Sequence, residues 1–395
     1  MSTGHAADAP SFGSLLQQAQ VNAPQLLEQA ANVRAASADM RQAGVWLNPA
    51  LNAVSENIGA SQGGVSQRED TVSVTQAFEI GGKRAARVEA GQRRSVAASA
   101  LERQTRVGFA NDLAIAYATA EAMQQRQAVA QAELTRARDD LRAADALVKA
   151  GREANLRLAQ ARAGAAAAEA AVETASAELT GALERLGALA GAPEPYTRIV
   201  HPLLGTAPRQ LPVAQWIPDD APALATATAE RDALNALIRI EQKRVLPDLG
   251  VTLGMRRFAS TDQKAATIGV SLTIPLFDRN KDGIDAARER ANSAAMRMET
   301  TRLNAVAAHR SAVAQVGAAE RRLQAAEQGE AAALEAYRLG RIGYDAGKTA
   351  LLELLAIRRQ LSEATERTIA ARLERVRAIA TLSMAEGRIA FGEAP

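Results

Sequence analysis

The chain has 395 residues, of which 47% are hydrophobic but only 3% aromatic, and much of the apolar fraction is alanine, the best helix former. Its 47 lysines and arginines nearly balance its 44 aspartates and glutamates without a basic block, so nucleic acid is not expected as a partner. The chain contains no cysteine, which excludes disulfides, thiolate metal ligands and cysteine nucleophiles.

The first 21 residues begin MSTGHAADAPSF and lack both the basic start and the apolar stretch of a secretory signal peptide. We therefore expect residues 1–21 to be the N-terminal segment of a cytosolic protein, or of a mature form whose signal has been removed. No run of about 18 apolar residues predicts a transmembrane helix in this sequence.

The rest of the chain contains two copies of one repeat, residues 22–191 and 220–387. The stretch VSVTQAFEIGGK of the first unit matches VSLTIPLFDRNK of the second at a shift of 198 residues, and AGREANLRL matches AGKTALLEL at a shift of 196. A nearly constant shift between matching segments over so many residues predicts an internal two-fold repeat. Between the units, residues 192–219 carry six of the 13 prolines and read as a connector, and residues 388–395 form a tail.

Each unit has the same predicted plan of a helix, two strands, a very long helix and a return helix. The predicted ranges are 24–44 and 222–244 for the first helices, 49–79 and 247–277 for the strand pairs, 84–149 and 282–345 for the long helices, and 153–189 and 349–384 for the return helices. Ala-Gly turns near 151 and 347 separate the long helices from the return helices. The heptad spacing of Leu134, Leu141 and Val148 favours a coiled coil, so a soluble coiled-coil scaffold is one hypothesis.

The strand pairs alternate apolar and polar residues, most clearly over Ile268, Val270, Leu272, Ile274 and Leu276. Each run has about 9–11 residues, which is the length of a tilted membrane-spanning strand. Two ordinary amphipathic hairpins packed on the helices are the alternative. Aromatic residues fall near the strand ends, as in an interfacial girdle: Trp46, Phe78, Phe258 and Phe277.

Four strands cannot close on themselves, and open sheet edges cannot face lipid. A membrane location therefore requires several chains to contribute hairpins to one barrel. Two chains would give eight strands, which side chains fill, whereas three chains would give twelve strands and a lumen.

The stretch AFEIGGKRAAR raises a third hypothesis, an enzyme that binds a nucleoside triphosphate at Gly81, Gly82 and Lys83. A phosphate-binding loop needs an earlier glycine and a Ser or Thr after the lysine, but Arg84 follows here, and the second copy reads LFDRNKDG. We interpret Gly81, Gly82, Lys83 and Arg84 as a joint at which a strand turns into a helix.

On these features the sequence resembles the TolC family of outer-membrane efflux channels over about residues 11–387. NPAL and LPDL precede the first strand of each unit, QAFEIGGKR and IPLFDRNK end the second strand, and LRLAQAR and LELLAIR follow the Ala-Gly turns. The stretch FEIGGKRAAR resembles the sequences of the CzcC-like branch of this family, whose members serve heavy-metal exporters.

The resemblance implies an α+β membrane protein whose homotrimer closes a twelve-stranded β-barrel in the outer membrane, with coiled-coil helices forming an α-barrel tunnel in the periplasm. It implies conduction without enzyme activity or cofactors. The implied partners are outer-membrane lipid, a periplasmic adaptor (membrane fusion protein) and an inner-membrane pump of the RND type. Divalent heavy-metal cations are the first expected cargo, and organic toxicants are the alternative.

In the family, the helical tips contact the adaptor, and polar residues just beyond them form a periplasmic gate. The matching tip residues are Leu147, Val148, Gly151, Arg152, Leu156, Tyr344, Gly347, Lys348, Leu351 and Leu352. The matching gate residues are Arg157 and Glu353, while Ala356 occupies a position that is acidic in the family. The alternative is that these are plain helical turns and solvated charges.

No catalytic or metal-binding constellation is expected. His5, His201 and His309 lie far apart without neighbours at ligand spacing, and the seven methionines are scattered.

Overall fold

The computed structural model describes residues 8–206 and 216–391. The helices are α1 (Phe12–Asn22), α2 (Pro24–Ala43), α3 (Lys83–Lys149), α4 (Asn155–Ala190), α5 (Pro222–Arg244), α6 (Lys281–Asp345) and α7 (Leu351–Ala385). The strands are β1 (Ala50–Glu56), β2 (Ser61–Gln62), β3 (Val65–Ser66), β4 (Glu69–Glu79), β5 (Asp248–Phe258) and β6 (Gln263–Leu272). His5 and parts of the N-terminal segment, connector and tail lie outside the described residues. Within those residues, each helix is too short or too polar to span a membrane.

The predicted combination of long helices with a four-stranded sheet is confirmed. The order helix, two sheet strands, long helix and return helix occurs in both halves of the chain, and the β2–β3 ribbon is an addition in the first half. The helices α2 and α5 begin at Pro24 and Pro222, and α3 and α6 begin at Lys83 and Lys281, so both pairs are 198 residues apart. Pro at the first helical position loses no hydrogen bond, because that N–H has no partner within a helix.

The helix α1 lies in the N-terminal segment, for which no helix was predicted. Phe12, Leu15, Leu16 and Ala19 are its buried residues, and this spacing of three to four residues places them on one helical face. The Ser11 side chain accepts a hydrogen bond from the Ser14 N–H and caps the first turn.

The first strand is followed by a short ribbon, and the last strand ends earlier than its alternation predicts. The strand β1 ends at Glu56, and the β2–β3 ribbon follows it. The strand β6 ends at Leu272, although the apolar alternation continues to Leu276. Leu249 of β5 pairs with Leu272, so β6 ends one residue short of the position opposite Asp248, where β5 begins.

The chain divides into two compact units, and each takes residues from both halves of the sequence. The second unit comprises residues 30–102 and 223–302 and contains an antiparallel sheet in the order β1-β4-β5-β6. In this sheet Leu51 pairs with Val74, and Leu249 pairs with Leu272, which is the same pairing moved by 198 residues.

The two faces of this sheet differ in chemistry because directly paired residues share a face. The apolar face carries Leu51, Val72, Val74, Phe78, Leu249, Val251, Leu253, Met255, Ile268, Val270 and Leu272. The polar face carries Asn52, Thr71, Ser73, Thr75, Gly250, Thr252, Gly254, Thr267, Gly269 and Ser271. At Gly254 an added Cβ would lie 2.7 Å from the Ser73 Cβ, so this face admits only small residues there.

The first unit comprises residues 1–29, 103–222 and 303–395, and its core joins α1 and the connector to the long helices. The largest fully buried side chains are Phe109, Leu113, Tyr117, Leu186, Leu204, Val376 and Leu15. The Tyr117 hydroxyl shares its single proton between the carbonyls of Pro10 (3.1 Å) and His201 (2.8 Å), and its ring packs edge-to-face on Phe12. One side chain thereby fixes the N-terminal segment and the connector on the same helix.

A second anchor of the connector is Glu121, which is only 4% exposed. Its Oε2 accepts the backbone N–H groups of Leu203 (2.6 Å) and Leu204 (2.9 Å), and Gln125 donates to Oε1 at 3.1 Å. Burial raises the pKa of Glu121, and the two backbone hydrogen bonds and the charge of Arg372 offset this only in part.

The raised pKa predicts a pH-dependent stability. Below the ordinary pKa of 4.5 the carboxyl is protonated in both the folded and unfolded chain, and its contribution is fully present. As the pH rises through the higher folded pKa, ionisation of the buried group costs free energy and this contribution is lost. Thermal unfolding of the detergent-solubilised protein across this range is expected to show the loss, and Glu121→Gln is expected to remove it.

The exposed Glu178→Gln is the matched control and is expected to keep the wild-type pH dependence. Glu121→Ala leaves two buried N–H groups unpaired and is expected to lower stability by about 1–3 kcal/mol below pH 4.5. An unchanged pH dependence in Glu121→Gln would contradict this assignment.

Candidate functional site

The predicted joint lies where β4 turns into α3. Gly81 (φ 70°) and Gly82 (φ 82°) both adopt the left-handed conformation, and α3 begins at the next residue, Lys83. A Cβ added to Gly81 would lie 2.1 Å from the Leu246 Cδ1, so this turn is closely packed as well as left-handed. In the second half, Asn280 (φ 51°) keeps the conformation of Gly82, which Asn tolerates better than most residues.

Lys83 forms an ion pair at the joint. Its Nζ lies 2.8 Å from the Asp248 Oδ1 at the start of β5, and the lysine side chain is 16% exposed. The ammonium thus joins the end of one hairpin to the start of the next. The lysine of the motif is thus bound to a carboxylate of β5, as expected for an architectural joint.

Arg84 fixes the segment that precedes β1. Its Nε donates to the Gly44 carbonyl at 2.6 Å, just after the end of α2, and its guanidinium lies 5.3 Å from the Trp46 ring centroid. Trp46 packs edge-to-face on Phe78, with 6.2 Å between ring centroids. Arg87, one helical turn further on, forms an ion pair with Glu79 at the end of β4.

The four aromatic residues predicted for the girdle occupy both ends of the sheet. Trp46, Phe78 and the fully exposed Phe277 lie at the joint end, and Phe258 lies at the other end. Phe78 shares the apolar face with Leu249, its partner in β5, whereas Phe258 pairs with Glu69 on the polar face. The register therefore turns Phe258 away from the apolar face that a girdle requires.

The polar face carries a charged cluster at the end remote from the joint. Arg256 lies 2.8 Å from Glu69 and 3.2 Å from Glu56, and its Nε donates to the Thr71 hydroxyl at 3.0 Å. Nearer the middle of the sheet, the hydroxyls of Thr75 and Thr252 are hydrogen-bonded at 2.8 Å. Apart from Val54, which pairs with Thr71, hydroxyl groups and small residues line the middle of this face.

The predicted tips are two closely similar helix ends. At the end of α3, the Arg152 N–H donates to the Leu147 carbonyl (2.9 Å) and the Gly151 N–H donates to the Val148 carbonyl (3.0 Å). After α6, Lys348 donates to Gly343 (2.8 Å) and Gly347 donates to Tyr344 (2.9 Å). Both ends are Schellman motifs that satisfy the last helical carbonyls.

Large apolar side chains are exposed beside both tips, where each return helix begins. Leu156 of α4 is 68% exposed and Leu352 of α7 is 76% exposed. Leu147 and Tyr344 are exposed less strongly, and Val148 and Leu351 are half-buried. Exposed apolar side chains clustered at an otherwise polar helix end are typical of a surface that contacts another molecule.

The two predicted gate residues differ in exposure, since Arg157 is half-buried and Glu353 is exposed. An ion-pair network that the sequence analysis missed lies further along α7. Arg358, with a 14% exposed side chain, binds Glu133 at 3.2 Å and Asp140 at 2.9 Å on α3. The seven-residue spacing of the two carboxylates, which places them on one helical face, was the available signal.

Among the residues that the structure describes, no group of three His, Cys, Asp or Glu is arranged to hold a metal ion. His309 instead stacks on Trp216 at 3.9 Å between ring centroids, and its Nε2 lies 3.2 Å from the Glu386 Oε1. His201 contributes its carbonyl to the Tyr117 hydroxyl.

The joint yields a stability prediction with an internal control. Gly82→Ala places a side chain in a left-handed turn with open space around it and is expected to cost about 1–2 kcal/mol. Gly81→Ala adds the clash with Leu246, and about 1–3 kcal/mol more is expected. Apparent unfolding temperatures of the detergent-solubilised variants measure the difference.

Adding Leu246→Ala tests the origin of that difference. It is expected to recover part of the loss in Gly81→Ala, because it removes the clashing Cδ1, and to recover none in Gly82→Ala. Equal losses in the two glycine variants would contradict the close approach.

Comparisons with known proteins match nearly the whole chain. The family described as outer membrane efflux protein matches residues 15–192 and 217–388. The chain is 53% identical to the nickel-cobalt-cadmium resistance protein NccC of Alcaligenes xylosoxydans xylosoxydans, covering 100% of this chain and 90% of that protein. It is 51% identical to the nickel and cobalt resistance protein CnrC of Cupriavidus metallidurans, covering 98% and 93%.

Solved structures share the fold at low sequence identity. A solved structure of CusC aligns with 98% of this chain over 96% of the CusC chain, with a TM-score of 0.81 and 19% sequence identity. The CmeC outer membrane channel of Campylobacter jejuni covers 99% and 91%, with a TM-score of 0.83 and 15% identity.

Proposed function

The chain belongs to the outer membrane efflux protein family, and from this membership we propose that it conducts divalent heavy-metal cations to the cell exterior. It is an outer-membrane efflux protein and not an enzyme. An efflux duct of this kind works with a periplasmic adaptor and an inner-membrane pump. We further propose that the assembly is a homotrimer with a tunnel in the periplasm and that its pump is of the RND type.

The observation that supports a metal cargo is sequence identity over nearly the whole chain with proteins named for metal resistance. The relative named for nickel, cobalt and cadmium resistance is 53% identical over 396 residues. The relative named for cobalt, zinc and cadmium resistance, CzcC, is 29% identical over 357 residues. A duct also has to release its cargo, and neutral hydroxyl ligands such as Thr75 and Thr252 bind divalent cations more weakly than carboxylates do.

The sheet supports the trimeric barrel. Its apolar face suits lipid and its polar face suits a water-filled lumen, but β1 and β6 are the two edges of the four-stranded sheet. Unpaired backbone groups cannot face the bilayer core, so the edges require further strands. Three copies supply twelve strands, which is enough for an open lumen, whereas eight strands enclose an interior that side chains fill.

The tips support the adaptor contact. Leu156 and Leu352 expose most of their side chains beside the two Schellman turns, where the implied adaptor would bind. Glu353 is exposed on the neighbouring turn, and a ring of such carboxylates in a trimer would raise the local concentration of cations. We therefore propose Arg157 and Glu353 as gate residues and the ten tip residues as the adaptor surface.

The cargo proposal predicts the phenotype of a strain that lacks this protein. Deletion is expected to lower the tolerated concentrations of nickel, cobalt and cadmium several-fold, because cations expelled by the pump lose their route across the outer membrane. Growth in graded metal concentrations, with and without the gene on a plasmid, measures the effect. Unchanged metal tolerance together with new sensitivity to organic toxicants would overturn the metal cargo and favour organic compounds.

The adaptor proposal predicts the effect of a charge at the tip. Leu352→Asp is expected to reduce metal tolerance to that of the deletion strain, because an added carboxylate disfavours an apolar contact. Val200→Asp, at an exposed position in the connector, is the control and is expected to preserve tolerance. Immunoblots of outer membranes and co-purification of the adaptor are measured for both. Full tolerance and normal adaptor recovery in Leu352→Asp would contradict the assignment.

A further inference from the structure

A cleft opens beside the joint, at the end of β4. It has a volume of about 500 Å³ and lies between the segment that links α2 to β1, the end of β4 and the first turns of α3. Its lining residues are Trp46, Leu47, Ala77, Glu79, Arg84, Ala85 and Val88. All of them belong to the same compact unit, so the cleft is formed within a single chain.

Arg84 lies at this cleft and differs from the cations beside it in α3. Lys83 is neutralised by Asp248, and Arg87 is neutralised by Glu79. The Arg84 guanidinium instead contacts a backbone carbonyl and an aromatic ring. The carbonyl contact through Nε fixes the plane of the guanidinium, and the N–H groups on its two Nη atoms can donate to an anion. Arg84 is exposed, so such an anion can approach it from outside the chain.

The second half of the chain shows that the joint itself does not require this arrangement. At the positions 198 residues later, Arg244 stands in place of Trp46, and Asp282 stands in place of Arg84. The second joint is formed nonetheless, with α6 beginning at Lys281. The combination of an aromatic ring with a cation is therefore confined to the first of the two joints.

The surface around the cleft is apolar and continues the apolar face of the sheet. Trp46 packs on Phe78, which lies on that face. Trp46 is 60% exposed and Leu47 is 40% exposed, and Val45 and Ile80 beside them are exposed as well. In the proposed barrel the apolar face meets lipid, and the joint lies where the strands leave the membrane for the periplasmic helices. The cleft then lies at the level of the phospholipid headgroups of the inner leaflet.

We propose that the cleft binds the headgroup of one zwitterionic phospholipid of this leaflet. Arg84 donates to the phosphate, whose oxygens match the forked donors of a guanidinium. Glu79 binds Arg87 through Oε2, and its other oxygen accepts from the ammonium group of the headgroup. Trp46 and Leu47 contact the first carbons of the acyl chains. This inference rests on the proposed barrel, which places the apolar face in lipid.

A phospholipid fits this cleft better than free phosphate does. The charge of the exposed Arg84 is screened by salt, so a single contact with it binds a soluble anion weakly. The bilayer already concentrates phospholipid headgroups at this depth, so a weak contact suffices to hold one in place. The apolar residues at the rim of the cleft suit acyl chains and offer no hydrogen bonds to a hydrated anion.

Lipid retention in native mass spectrometry tests the site. The full chain is purified in detergent with added phosphatidylethanolamine, and the lipids that stay bound are counted. The wild type is expected to retain one lipid per chain. Arg84→Gln is expected to reduce the retained fraction several-fold, because the phosphate loses its charged donors. Arg94→Gln, at an exposed position of the same helix, is the matched control and is expected to retain the lipid.

Arg84 also holds the Gly44 carbonyl, so a second variant leaves that contact in place. Ala85 is exposed and lines the cleft, and Ala85→Leu fills the cleft with another good helix former. It is expected to lower lipid retention as strongly as Arg84→Gln does, with an unchanged unfolding temperature. Ala167→Leu, at an exposed position of α4, is its control. Retention at the wild-type level in Ala85→Leu would overturn the cleft as the binding site.

Tryptophan fluorescence tests the choice of headgroup. The chain has two tryptophans, so Trp216→Phe leaves Trp46 as the single emitter. Phosphatidylethanolamine brominated on its acyl chains is expected to quench Trp46 more strongly than brominated phosphatidylglycerol at the same concentration, because Glu79 favours an ammonium group. Ala85→Leu is expected to remove this difference. Equal quenching by the two lipids in the unfilled cleft would contradict the role of Glu79.

Soluble competitors identify the source of the phosphate. Glycerophosphoethanolamine has the headgroup without acyl chains, and inorganic phosphate has neither acyl chains nor an ammonium group. Neither is expected to displace the bound lipid when it is added at the concentration of the lipid. Displacement by inorganic phosphate would show a plain anion site and overturn the lipid assignment.

Light scattering and metal tolerance separate this inference from the proposed function. A trimer that supports metal tolerance but retains no lipid overturns the lipid site and leaves the proposed function standing. Because the cleft is formed within one chain, retained lipid can also be counted on a monomer. A monomer that retains lipid overturns the proposed trimer but not the lipid site, and a monomer that retains none overturns both.

Discussion

Unpaired backbone groups at the edges of the four-stranded sheet are the constraint on which the rest of this molecule depends. A sheet edge in lipid leaves N–H and C=O groups without partners, and each costs several kcal/mol. The strands β1 and β6 are the edges of this sheet, and in lipid they would need the further strands that the trimer we propose supplies. The end of β4 pairs with β5 as far as Glu79, whereas β6 lies at the edge of the sheet and ends at Leu272.

Alternation and register give the sheet two chemically different faces. Pairing of Val74 with Leu253 and of Val251 with Val270 builds the apolar face, and the intervening residues build a face of hydroxyls and glycines. Gly254 permits the close approach of Ser73 on the polar face. An apolar face and a polar face therefore come from one backbone pattern with a period of two.

The change from strand to helix is held by cationic side chains of α3, which bind acidic residues at the strand ends and the segment before β1. Lys83 binds Asp248, Arg87 binds Glu79, and Arg84 holds the segment before β1 through the Gly44 carbonyl and the Trp46 ring. In the other compact unit, Tyr117 and Glu121 have the corresponding role, since they fix the connector and the N-terminal segment through backbone groups. Both regions use polar side chains of α3 to fasten irregular segments.

The sequence by itself determined the features that repeat along the chain. The positions of Pro24 and Pro222 at helix starts, the tips at Gly151 and Gly347 and the alternation of the strands follow from local propensity and periodicity. These signals recur because each half builds the same element from its own residues. The family resemblance rested on the same local motifs.

Only the tertiary structure decided the features that join distant parts of the chain. The end of β6, the partners of Lys83 and Arg84, the buried Glu121 and the Arg358 network depend on contacts separated by tens to hundreds of residues. The placement of Phe258 on the polar face likewise depends on its pairing with Glu69. Periodicity predicts which nearby residues share a face of a helix or strand. The pairing of strands and the packing of helices determine which residues that face contacts.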